Sequence, residues 1–101
     1  RVAKVKLQVI SWLSRAFAAT EVNRFDVELE VEAGETVRAL FNRLATENQV
    51  FAEYVFDRHR QDLTGRVSVF FNDRILELVQ GLDTEVKDGD FILLVPAYAG
   101  G

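Results

Sequence analysis

Asp88-Gly89-Asp90-Phe91-Ile92-Leu93-Leu94-Val95-Pro96 is the stretch that decides how this chain folds. Asp88, Gly89 and Asp90 form a turn, since glycine accepts positive φ and Asp side chains bond nearby backbone N–H groups. Phe91 to Val95 is a short apolar run after a turn, the mark of a strand in contact with apolar surroundings. Pro96 cannot donate to a ladder and is expected to stop it. Ala97-Tyr98-Ala99-Gly100-Gly101 has no pattern of regular structure. The expectation is one domain over residues 1–95 and a flexible tail over 96–101.

Upstream, Gly65 precedes a strand in which Val67, Val69 and Phe71 share one face and Arg66, Ser68 and Phe70 the other. Asn72-Asp73 signals a turn, and Arg74 to Leu78 is expected to return as a short strand. Near the start, Val5, Leu7 and Val9 alternate with Lys4, Lys6 and Gln8. Phe25, Val27, Leu29 and Val31 alternate with Asp26, Glu28 and Glu30. Both have the period of a half-buried strand, and they read as a hairpin with a long loop holding Trp12, Leu13 and Phe17. From Thr36 the period changes: Val37, Leu40, Phe41 and Leu44 form one helical stripe. Thr36 is the expected N-cap, Glu35 adds charge near the positive helix end, and the helix should fade near Asn48. Phe51, Tyr54 and Val55 suggest a second short helix. Each element has one apolar side to bury, so one sheet with one main helix across it is the economical packing, an α+β roll.

The 101 residues suit one domain, and 49% hydrophobic with 28% charged residues is ordinary for a globular one. No apolar run approaches the ~20 residues of a membrane span, and Arg1-Val2-Ala3-Lys4 shows no leader pattern. There is no cysteine, which rules out disulfides, thiolate nucleophiles and Cys metal sites. A cytoplasmic protein fits this composition. Net charge is −4, and the densest basic stretch, Arg58-His59-Arg60, is flanked by Asp57 and Asp62. Nucleic-acid binding is not expected.

The segment Val67 to Asp73, the Thr84–Asp90 turn with its Lys87-Asp88-Gly89-Asp90, the strand to Pro96 and the final Ala99-Gly100-Gly101 together resemble the ThiS/MoaD family of ubiquitin-like sulfur carriers. Gly34-Glu35-Thr36-Val37 at the helix start is also similar. The order of elements matches over the whole chain, the motifs from residue 67 onward. Asp73 stands where the family often has Gly, and Tyr98 where it has a smaller or branched residue. The stretch 49–64 is longer than in thiamine-pathway carriers and looks more like molybdopterin-synthase small subunits and archaeal or bacterial carriers and modifiers. The resemblance implies a β-grasp (ubiquitin-like) roll with a mixed sheet of four to five strands.

It also implies that the protein is no enzyme by itself. Gly101 would be adenylated by a separate MoeB/ThiF-like activating enzyme that uses ATP, then converted to a thiocarboxylate. A free C-terminal carboxylate, of pKa about 3.5, is ionised and a poor acylating group, which is why activation is needed. Gly100 has a steric part to play, because a residue without Cβ passes a narrow channel. The acceptor would be a molybdopterin synthase large subunit, or an enzyme of cysteine biosynthesis or tRNA thiolation. The alternative is a ubiquitin-like modifier joined through Gly101 to target lysines. A ubiquitin-fold interaction domain with an inert tail needs no Gly-Gly end. An enzyme with its own active site is the least expected class, because the sequence offers no nucleophile, base cluster or phosphate loop. The chain is expected to bind no cofactor or metal of its own.

A tail that orders on docking needs a folded surface to supply binding energy. If Ile92 and Leu94 face the helix, Phe91, Leu93 and Val95 face away, and the family's strand order puts Phe70 beside them. Phe70, Phe91, Leu93, Val95, Pro96, Tyr98 and Ala99 are therefore the expected partner contacts. The competing reading is a second small core, with Trp12, Phe17 or the 49–64 segment folded over that face. His59 reads as a solvated loop residue, and Asp88 and Asp90 as turn residues. Lys87 reads equally as a partner contact or a solvated turn lysine.

Overall fold

The computed structural model describes residues 1–10, 13–14 and 24–97. Trp12, Phe17, Tyr98, Ala99, Gly100 and Gly101 lie outside the described residues. Strands β1 (Val2–Ile10) and β2 (Arg24–Glu32) form the expected antiparallel pair, Val5 opposite Leu29 and Leu7 opposite Val27. Then come α1 (Val37–Glu47), α2 (Gln49–Tyr54), the two-residue strands β3 (Phe56–Asp57) and β4 (Asp62–Leu63), β5 (Val67–Phe71), β6 (Arg74–Ile75) and β7 (Phe91–Pro96). The main sheet runs β2-β1-β7-β5-β6, with β1 and β7 parallel and its other pairs antiparallel. This is the mixed sheet of a ubiquitin-like β-grasp fold, an α+β roll with one main helix. No helix among the described residues is long and apolar enough to cross a membrane.

The core lies between the sheet and α1. Thr36 caps the helix, its Oγ1 accepting from the Ala39 N–H at 3.1 Å, and Val37, Leu40, Phe41 and Ala45 are buried. Glu35, the residue before that cap, also has a second task. Its carboxylate accepts from the Glu32 N–H at 3.1 Å and lies 3.8 Å from Arg43, closing the turn after β2. Asn48 joins the two helices: its N–H donates to the Leu44 carbonyl, and its side chain accepts from the Phe51 N–H.

The 49–64 segment adds to this same core. Phe51 and Phe56 are buried and meet Phe41 edge-on, with ring centroids at 5.1 and 6.2 Å. It therefore forms no second core over the outer sheet face. The expected strand from Arg74 to Leu78 is shorter. Pairing stops at Ile75, and Leu76–Leu78 turns as a 3₁₀ helix that buries Leu76. Conversely, β7 continues one residue past its expected end, with Pro96 opposite Val67.

Candidate docking face and tail root

The site begins with the turn that starts β7. The Asp88 carboxylate accepts from the Lys4 N–H at 2.7 Å, and the Gly89 N–H donates to the Lys4 carbonyl at 2.8 Å. Gly89 has φ +90°, which glycine adopts without steric cost. Asp90 accepts from the Lys87 N–H at 2.7 Å and from Asn72 Nδ2 at 3.0 Å. Asn72 closes the circuit: its N–H donates to the Phe91 carbonyl, and its Oδ1 accepts from the Phe91 N–H at 2.9 Å. Asn72 and Asp73 have φ +50° and +69°, the left-handed pair that a two-residue hairpin requires. Asp88 and Asp90 are turn residues, as their spacing suggested. Lys87 is exposed.

This circuit sets the register of β7, and the register sets its faces. Ile92 and Leu94 are buried in the core. Phe91, Leu93 and Val95 face outward and are half-buried. Leu93 stands opposite Phe70 on β5 and Gln8 on β1, and Val95 opposite Ser68. The four residues Phe70, Phe91, Leu93 and Val95 thus share one surface, as expected. Ile75, 44% exposed and opposite Phe70, extends it across β6. The sequence carried a signal for Ile75: a two-residue turn at Asn72-Asp73 pairs residues 70 and 75.

Pro96 departs from the expectation. It shares the inner side of β7 with Ile92 and Leu94 and is buried, off the outer surface that Phe91, Leu93 and Val95 form. The strand ends there, and the Ala97 N–H still donates to the Arg66 carbonyl at 3.0 Å.

Beside the apolar surface, β1 and β2 present charge. Lys4 faces Glu30, Lys6 faces Glu28, and Gln8 faces Asp26, with a Gln8 Nε2–Asp26 Oδ1 hydrogen bond of 2.9 Å. A shallow groove lined by Lys6, Gln8, Asp26, Glu28 and Phe91 marks the border between the two. His59 is exposed on the β3–β4 turn, away from this face. There the N–H groups of Arg60 and His59 donate to the Asp57 carboxylate. Those bonds, Arg60 foremost, hold it below the ordinary aspartate value. Among the described residues no cluster of three His, Cys, Asp or Glu side chains could hold a metal ion.

The sequence matches the ThiS family over residues 15–101. A protein of Archaeoglobus fulgidus described as a candidate sulfur carrier is 34% identical over 80 residues, 79% of this chain and 89% of that one. Among solved structures, Urm1 of Trypanosoma brucei superposes with a TM-score of 0.74 at 20% identity, covering 100% of this chain and 98% of that one. A candidate molybdopterin converting factor subunit 1 of Pyrococcus furiosus superposes with a TM-score of 0.67 at 25% identity, covering 95% and 99%. The BexX/CysO complex of Amycolatopsis orientalis contains a chain that matches with a TM-score of 0.56 at 27% identity, covering 94% and 99%.

Proposed function

This chain belongs to the ThiS family, and from that premise we propose that it carries sulfur on Gly101, as a C-terminal thiocarboxylate made after adenylation by a separate enzyme. The observation that carries the reading is the family match itself, which runs through Gly100 to Gly101. The chemistry is complete without a catalytic group on this chain. A carboxylate oxygen of Gly101 attacks the α-phosphorus of ATP and expels pyrophosphate. Hydrosulfide, or its equivalent delivered by a sulfur donor, then attacks the acyl carbon and AMP leaves with the oxygen. The thiocarboxylate sulfur then bonds to the acceptor, and water cleaves the acyl–sulfur bond, leaving the sulfur on the acceptor and supplying the oxygen that restores the carboxylate. Because ATP is consumed, the cytoplasm is the compartment in which the cycle runs.

The protein's own contribution is delivery. The outer surface of Phe70, Phe91, Leu93, Val95 and Ile75 binds the MoeB/ThiF-like activating enzyme and then the acceptor enzyme. Tyr98, Ala99 and Gly100 follow the tail into each active site. A molybdopterin synthase large subunit is the acceptor we favour, supported by the likeness to a converting factor subunit 1. The presence of a similar chain in the BexX/CysO complex supports a carrier that works by docking on a partner.

Intact mass spectrometry of the protein from its native cell tests the reading. One oxygen replaced by sulfur on the C-terminal peptide is the expected result. Gly-Gly remnants on lysines of other proteins, with no such replacement, would make the chain a modifier instead. Deleting Gly101 should abolish ATP–pyrophosphate exchange with the activating enzyme while leaving thermal unfolding unchanged. Undiminished exchange by the shortened protein overturns the assignment of Gly101.

A further inference from the structure

Arg66 immediately precedes β5, at the end of the sheet from which the tail departs. It is the next outward position before Ser68, and its carbonyl accepts the Ala97 N–H. Along the β5–β7 pair the outer surface therefore runs from Phe70 and Leu93, through Ser68 and Val95, to Arg66 and Ala97. Arg66 is the charged residue on the path from the apolar surface to the tail.

Its surroundings hold it in place without neutralising it. Its backbone N–H donates to Thr64 Oγ1 at 3.1 Å, and that hydroxyl donates to the Tyr54 carbonyl at 2.6 Å. The guanidinium lies 5.6 Å from the centroid of the Tyr54 ring, a distance at which a cation is attracted to the ring face. Three arginines meet the chain's own carboxylates, Arg24 with Asp26 at 3.0 Å, Arg38 with Asp83 at 3.5 Å and Arg43 with Glu35 at 3.8 Å, whereas Arg58 and Arg74 have no such ion pair among the described residues. Arg66 is exposed and has no carboxylate partner among the described residues.

We infer that Arg66 is a positioning residue of the carrier, pairing with a carboxylate on the activating enzyme at the mouth of the channel that takes the tail. The inference rests on the carrier reading above. The four residues after Ala97 span at most about 13–14 Å, so the apolar surface and the channel mouth must be engaged together. A braced cation between them fixes the angle at which the tail enters. A nucleotide phosphate is not the partner, because the α-phosphate is attacked at Gly101, at the far end of that span. An exposed charge at an interface rim acts on encounter and orientation more than on the bound chemistry.

The test is ATP–pyrophosphate exchange with the adenylating enzyme of the source organism, using the full-length chain and varying its concentration. Arg66→Gln should raise the KM for the carrier about threefold and Arg66→Glu about tenfold, with kcat unchanged. Arg66→Lys should recover most of the loss. The wild-type KM should climb as salt is added, and that climb should be shallower for Arg66→Gln, an effect that a purely structural role would not produce. Arg58→Glu, equal in charge change but on the β3–β4 turn, is the control. A KM for Arg66→Glu equal to that of Arg58→Glu overturns the inference, as does a loss in kcat at saturating carrier. If wild-type chain is not adenylated at all, the carrier reading falls and takes this one with it. Exchange by wild type with an indifferent Arg66 sinks the inference alone.

Discussion

The outer face of this sheet is two surfaces joined along β1. On β1 and β2 every outward residue from Lys4 to Gln8 stands opposite an acidic one, Glu30, Glu28 or Asp26. Opposite charges placed across strands stabilise by about 0.2–1 kcal/mol a pair, and charge along the exposed edge of β2 discourages pairing with another chain. On β7, β5 and β6 the outward residues are Phe91, Leu93, Val95, Phe70 and Ile75, with Ser68 the polar exception. The inner faces do not differ in this way: Ala3, Val5, Leu7, Val9 and Val31 are buried on one half, and Val67, Val69, Phe71, Ile92 and Leu94 on the other. One half is finished toward water and the other is not. Cross-strand charge suits the first half to water; the second presents an apolar surface of the kind that marks interaction sites on other proteins.

The largest expected effect separates neighbouring residues on β7. Ile92→Ser empties a fully buried site and should cost at least the roughly 2–5 kcal/mol of a core truncation to Ala, a large part of a domain's typical stability. Phe91→Ser, one residue away on the outer side, should cost about 1 kcal/mol in folding. The same substitution should weaken binding to the activating enzyme about tenfold or more, as loss of an interface aromatic does. Thermal unfolding and titration against the enzyme check both. Equal unfolding costs would mean that the outer surface is a second core, and the contrast between the halves would be lost.

A second effect concerns the circuit that aims the surface. Asn72→Ala removes the partner of the Phe91 N–H and puts an L side chain with a Cβ and no polar group at φ +50°. Together these should cost about 1–3 kcal/mol. Asn72→Gly keeps the backbone freedom and loses the hydrogen bonds, so it should cost about 1 kcal/mol. Hydrogen exchange at the Phe91 amide should accelerate in both variants. If Asn72→Gly matches wild type in both measurements, the side chain does not hold the register, and the Asp88–Asp90 turn sets the faces of β7 without it.

Much of this was legible before the fold. The alternations at Val5–Val9 and Val27–Val31, the stripe from Val37 and the Thr36 cap each name their element, because one physical demand dominates at those positions. Ile92 and Leu94 inward with Phe91 and Leu93 outward follows from period two alone. Three things were not legible. The β3–β4 ladder is two residues long, too short for a period to show, and Phe56 owes its burial to Phe41, which is distant in sequence. Glu35 looked like a helix-dipole residue because its other partners, Glu32 N–H and Arg43, come together through the turn and the helix. Pro96 looked like the start of the tail because proline ends ladders; it lies inside one here, buried on the core side of β7.

The smallest expected effect lies in the charged half. Lys4 and Glu30 are exposed and opposite one another, and their side chains meet no other charge closely enough to form an ion pair among the described residues. Lys4→Gln and Glu30→Gln should each change stability by less than about 0.5 kcal/mol. The double-mutant cycle should return a coupling of about 0.2–0.5 kcal/mol that fades in salt. The backbone contacts of Lys4, to Asp88 and Gly89, survive the substitution, so the turn that starts β7 is undisturbed. Affinity for the activating enzyme should stay within about twofold, because a rim-distant exposed charge contributes little once the partner is seated. Lys4→Gln weakening that complex as much as Phe91→Ser would extend the docking surface over β1, and the two halves of the face would then be one.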